Sequence, residues 1–140
     1  MKRFVLFLAL LLCLPAQAAE QNYHARIKAI ERIRLHARSA GQLLALGDHY
    51  YRLGKLERAY QQLDLLLQHD RKNIEGWLLM GSLWRAWGQW AEALEAYDLA
   101  LALAPQRADI HLRRGQAFEQ LGRQDEADQA YARYRALDKN

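Results

Sequence analysis

The side chains that could move a proton or hold a metal are five histidines, His24, His36, His49, His69 and His111, together with 16 carboxylates. Two histidines grip a metal from one helix when they stand at i and i+4 on the same face, and no pair here has that spacing. Asp48 and His49 are adjacent enough to suggest an acid/base pair. Consecutive helical residues do not face one another, so the pair is not placed for proton transfer. There is no Gly-x-Ser-x-Gly elbow, Gly-rich phosphate loop, His-Glu-x-x-His or calcium loop. The single cysteine, Cys13, excludes an intramolecular disulfide and any zinc site built from several cysteines. The expectation is a protein that works by binding, with no catalytic residue, metal or cofactor.

Aromatic and basic residues could carry binding chemistry instead. Trp77, Trp84, Trp87 and Trp90 are the only tryptophans, and a ligand-stacking cage is one use for them. Trp77, Met80, Trp84 and Trp87 recur at steps of 3, 4 and 3, however, which is one face of a helix and points to core packing. The net charge of +4 and pI near 9.4 invite a nucleic-acid reading, because clustered Lys and Arg neutralise phosphates. The charge is unevenly placed. Lys2 and Arg3 carry two of the positive charges. Residues 20–39 carry five basic side chains (Arg26, Lys28, Arg32, Arg34 and Arg38) against Glu20 and Glu31, and residues 40–140 carry 13 basic against 14 acidic. The body of the chain is not basic, and no nucleic-acid partner is expected.

A length of 140 residues suits one domain. Hydrophobic residues at 51% and charged residues at 26% are the balance of a chain that folds around a core. The first residues read as an address. Lys2 and Arg3 precede the apolar run from Phe4 to Leu14, and Ala16-Gln17-Ala18 follows as a small-x-small cleavage site. The run is too short to cross a ~30 Å bilayer core, so residues 1–18 are expected to be a cleaved signal peptide, with no stable membrane insertion afterwards. Leu12 stands where lipidation of Cys13 needs a small residue. The expected destination is the periplasm.

The elements that must position any binding residue emerge from a period of 34. Gly47, Gly81 and Gly115 step by it, as do Gly54, Gly88 and Gly122; Ala59, Ala93 and Ala127; Tyr50, Trp84 and Phe118; and Leu44, Leu78 and Leu112. Each copy reads as two amphipathic helices, 74–87 and 90–103 in the middle one. Gly88 suits a left-handed residue that ends the first helix. Gly81 and Ala93 are small, which lets the paired helices approach closely. Upstream, Ile27, Ile30, Ile33 and Ala37 suggest one more helix, with Ala25 at the phase of Ala59.

This pattern resembles the tetratricopeptide repeat. The middle copy carries Trp77, Met80-Gly81, Trp84, Gly88, Ala93, Tyr97, Ala100 and Pro105, which is nearly the full family motif. The first copy has Arg71 in place of the proline, in a turn that Asp70 and Asn73 can bend. The third has Tyr134 at a position the family keeps small. The resemblance implies an all-α, right-handed superhelical stack of three repeats, 40–73, 74–107 and 108–140, behind an N-terminal capping helix over 19–39.

The resemblance also implies a concave groove lined by the first helix of each repeat. Its positions here are Leu44, Asp48, Tyr51 and Arg52; Leu78, Ser82, Arg85 and Ala86; and Leu112, Gln116, Glu119 and Gln120. The family's two-carboxylate clamp needs Lys and Asn at Leu44 and Asp48 and Lys at Asp109. Only Arg113 fits, so that clamp is rejected. What remains is a protein or peptide partner held along Leu44, Leu78, Leu112 and Tyr51, with Arg52 and Arg85 orienting polar groups. The alternative use of those leucines is to complete the packing of each helix pair.

By resemblance the protein is an interaction scaffold or adaptor for a cell-envelope complex, such as a pilus, secretion, cytochrome-maturation or cell-wall assembly. The other reading is a periplasmic chaperone for exported subunits. Self-association through the open ends of the stack, at Tyr134 or the isoleucine stripe, is a further expectation. The mature chain is expected to begin at Ala19 when its mass is measured; a retained Met1 would contradict the address.

Overall fold

A computed structural model of the chain describes residues 20–31 and 38–138. The expected signal peptide, and Ile33 and Ala37 of the expected cap, lie outside the described residues. The described chain is a solenoid of helices in antiparallel pairs, as the period requires. Residues 20–31 form α1. The repeats follow as α2 (Ala40–Arg52) with α3 (Leu56–His69), α4 (Ile74–Ala86) with α5 (Trp90–Leu103), and α6 (Ala108–Gln120) with α7 (Gln124–Leu137). Within each pair the two helices pack along their length, and α3 meets α4 and α5 meets α6 to join one repeat to the next. The arrangement is the expected tetratricopeptide-like superhelix with an additional N-terminal helix.

Each pair closes on the same steric lock. A side chain at Gly81 would run into the ring of Tyr97, one at Gly115 would run into Tyr131, and a Cβ at Gly47 would stand 2.8 Å from Leu63 Cδ2. These glycines let the second helix press a large side chain, Leu63, Tyr97 or Tyr131, onto the backbone of the first. Ala59, Ala93 and Ala127, on the opposing helices, are 0% exposed. Tyr131 directs its hydroxyl to Glu119 at 2.8 Å. The residue 34 positions before Glu119 is Arg85, which cannot accept, and the buried Tyr97 hydroxyl has no hydrogen-bond partner.

The turn inside each pair is also repeated. Gly88 adopts φ +74°, Gly88 N–H donates to Arg85 O and Gln89 N–H to Trp84 O at 2.9 Å, which is the Schellman closure. Gly54 and Gly122 share the conformation. Between repeats the chain is fastened differently. Trp77 Nε1–H donates to Arg71 O at 2.8 Å, and His111 Nε2 makes the equivalent bond to Pro105 O at 3.2 Å. In the turn that lacks proline, Asp70 accepts from Lys72 N at 3.2 Å and from Asn73 Nδ2 at 3.0 Å. Asn73 then caps α4 by accepting from Gly76 N at 2.9 Å. Asp and Asn thus bend the chain where Arg71 stands, as the sequence suggests.

The cap departs from the extrapolated phase. Ala25 is exposed, whereas Ile27 is 5% exposed and joins the core of α2 and α3. In a full repeat the alanine at that phase is buried against the first helix of its own pair. The helix α1 has no such partner among the described residues, so only its α2-facing side is covered. The four tryptophans are half-buried and packed on the core, without forming a cage. Trp84 and Trp87 lie 5.2 Å apart with Tyr60 5.6 Å from Trp84, and Trp90 packs against the core of the third pair.

Gly81→Leu is expected to destabilise the fold by about 1–3 kcal/mol through overpacking against Tyr97. Tyr97→Phe, which removes only the unpartnered hydroxyl, should stay within about 0.5 kcal/mol of the parent. Urea denaturation of the two variants measures both, and equal losses would place the lock elsewhere.

Candidate partner-binding faces

The first helices α2, α4 and α6 carry the positions expected to line a groove. Their exposure is uneven. Leu44 and Leu112 are half-buried. Leu78 is 4% exposed and packs with Ala93, Tyr97, Ala100 and Ile110. Ser82 is buried too: its hydroxyl donates to Leu78 O at 3.0 Å and accepts from Arg113 Nη1 at 2.9 Å. Arg113 therefore ties α6 to α4 across the middle of this face. The three leucines do not form a continuous exposed strip, because Leu78 belongs to the core between the second and third pairs.

The polar positions divide between engaged and available groups. Arg52 bonds Asp48 at 2.8 Å and lies 6.0 Å from the Tyr23 ring centroid. Tyr51 is half-buried against the first core cluster. Glu119 is held by Tyr131, whose phenol is pushed up to about 12, first by burial and then by the Glu119 carboxylate. Arg85, Ala86, Gln116 and Gln120 are exposed, and Arg85 makes no ion pair among the described residues. At the helix starts, Arg107 bridges Glu75 and Asp109, the latter at 2.7 Å. Burial pushes the Asp109 carboxyl up, but the Arg107 hydrogen bond and charge, with Arg113, hold it below its ordinary value. This face thus offers Leu44, Tyr51, Arg85, Leu112 and Gln116 around a central Arg113–Ser82 bridge.

The second helices form two further grooves that phase arithmetic did not single out. One of about 470 Å³ runs between α3 and α5 over Trp77, with Leu67, Leu99 and Leu103 in its walls. Leu99 is 46% exposed and Leu103 37%. Their signal was present, since they are four residues apart and lie off the buried phase of Ala93, Tyr97 and Ala100. The other groove, about 760 Å³, lies between α5 and α7 over His111 and Phe118. Arg114 and Arg123 both lie over the Phe118 ring, at 5.3 and 4.7 Å. They pair with Asp98 and Glu126, so most of the charge in this groove is neutralised internally.

Among the described residues no group of three or more His, Cys, Asp or Glu could hold a metal ion. Asp48 and His49 approach no closer than 3.9 Å. No helix among the described residues is long and apolar enough to cross a membrane.

Comparisons with known proteins agree with this architecture. Residues 81–122 match the family model described as TPR repeat. No curated protein matched the sequence. Among solved structures, a crystal structure of MamA superposes with a TM-score of 0.77 at 19% identity, covering 81% of this chain and 67% of that one. PcrH in complex with the chaperone binding region of PopD gives 0.66 at 26% identity, covering 69% and 73%. The Yersinia enterocolitica type III secretion translocator chaperone SycD gives 0.69 at 23% identity, covering 72% and 76%. This chain spans about two thirds of the length of the MamA chain. The steric lock, the repeated glycine turns and these likenesses together make the described chain a tetratricopeptide-repeat fold, with residues 81–122 matching the family itself.

Proposed function

We propose that the protein is a chaperone-like binding module that holds a segment of a partner protein against the face of α2, α4 and α6. It acts by binding and not by catalysis. The observation that carries this reading is the likeness to PcrH, at 26% and 25% identity, in structures that contain the chaperone binding regions of PopD and PopB. On this chain, Leu44, Tyr51 and Leu112 supply partly buried apolar contacts, and Arg85 supplies an unengaged cation. A peptide laid across these groups buries apolar area while its polar atoms meet Arg85 and Gln116. Of the two readings drawn from the sequence, the chaperone is the better supported by these relatives. The adaptor for one envelope complex rests on the repeat resemblance together with the reading of residues 1–18 as an export signal, and the periplasm is proposed as the site of action on that sequence reading alone.

Tyr51→Ala and Arg85→Glu are expected to weaken peptide capture roughly tenfold each, about 1.4 kcal/mol. Arg85→Glu, on an exposed residue, should leave the melting temperature nearly unchanged, whereas Tyr51→Ala also loses packing on the first core cluster and lowers it. Fluorescence anisotropy against a panel of apolar peptides measures this. Unchanged affinity in both variants moves the site off this face. Weak binding to many peptides supports the chaperone, and tight binding to one partner supports the adaptor.

A further inference from the structure

His49 sits where the rest of the stack places hydrocarbon. Stepping by 34 gives Leu83 and Ala117, both 0% exposed. Leu83 packs in the cluster that includes α3, and Ala117 packs with Leu94 of α5. Both fill the joint between a first helix and the second helix before it. His49 fills the same joint between α2 and α1. It is 5% exposed, and neither ring nitrogen has a hydrogen-bond partner. Its ring lies 5.1 Å from that of Tyr23 on α1, tilted by 59°.

The charges around it disfavour an imidazolium. Burial is the largest influence, and Arg26 on α1 and Arg52 on α2 act in the same direction, holding the imidazole below its ordinary value. Asp48 opposes them, but its carboxylate is 3.9 Å from Nδ1 and is already bonded to Arg52. No charged group of α3 or α4, among the described residues, acts on the ring. Among the described residues the remaining ties of α1 to the stack are Ile27 in the core with Ile30 packed against it, the Tyr50 hydroxyl donating to Glu31, Arg52 near the Tyr23 ring, and Arg38, which donates to Glu31 O and to Gln62 Oε1 of α3.

We propose that α1 is an acid-released cap: protonation of His49 undocks α1 from α2 and opens the N-terminal end of the repeat stack. The docked state binds fewer protons than the open one, so docking is fully present above about pH 6.5 and weakens as the pH falls below it. The loss is at most tenfold per pH unit, or up to about thirtyfold by pH 5.0. The surface so uncovered is the side of α2 around His49 on which Tyr23 and Ile27 of α1 rest. This site is separate from the face of α2, α4 and α6 assigned to peptide capture.

Hydrogen exchange at pH 7.5 and 5.0, corrected for intrinsic rates, tests the proposal on the intact protein. In the parent, amide protection over residues 23–31 should fall by up to about thirtyfold at pH 5.0 while α4–α7 keep theirs. His49→Leu, which places the residue of position 83 in the same seat, should hold α1 docked at both pH values, and His49→Gln should remove the pH dependence. Equal protection at both pH values in the parent overturns the proposal. So does a fall that persists in both variants, which would assign the sensitivity to a group other than His49. If neither variant docks α1 at any pH, the parent's His49 titration by NMR decides, and a midpoint at or above 6.5 is contrary to the proposal.

Discussion

Gly81 lies under the ring of Tyr97, Gly115 under that of Tyr131 and Gly47 under Leu63, and the rest of the solenoid depends on these three close approaches. A ring seated on bare backbone draws the helices of a pair together, and the fully buried alanines opposite can be accommodated only at that separation. Packing of this density leaves no room for a methyl group, so the lock sets the distance within a pair. The pairs then present fixed surfaces to one another, and the stack extends by repetition. The first pair uses Leu63 where the others use tyrosine, which fills the seat without a polar atom.

The core follows from this geometry. It is divided into three clusters, and the first two share Trp77 and Trp84 at their edges. Those tryptophans are half-buried because they seal the seam between neighbouring clusters, a place that is neither interior nor surface. Arg113 works similarly on the face of the first helices, where its bond to Ser82 spans two repeats. Each repeat is therefore supported by its neighbours, and the two ends of the stack are its least supported parts.

Much of this was legible in the sequence, for a physical reason. Close approach tolerates only the smallest residues, so Gly81, Ala93 and their counterparts announce the lock by type, and Gly54, Gly88 and Gly122 announce the turns by the left-handed backbone they adopt. The site was less legible. Phase tells which way a side chain leaves its own helix but not what reaches over from a neighbour. Leu78 and Ser82 belong to the face by phase, yet the following repeat buries them, through Ile110 and Arg113. Arg52 looked free and is bonded to Asp48. Ala25 kept the phase of Ala59, but burial there needs a paired helix. The histidine at position 49 showed its oddity only when the phase was compared with burial, against Leu83 and Ala117.

The bonds from Trp77 to Arg71 and from His111 to Pro105 tie the start of one repeat to the turn that ends the one before it. At that phase the first repeat has Leu43, whose side chain has no donor. The repeats are stitched to one another, whereas α1 is joined to them without that stitch. Under mechanical tension or thermal fraying the chain therefore has a built-in direction, with α1 peeling first from the N-terminal end while the three stitched repeats hold as a unit.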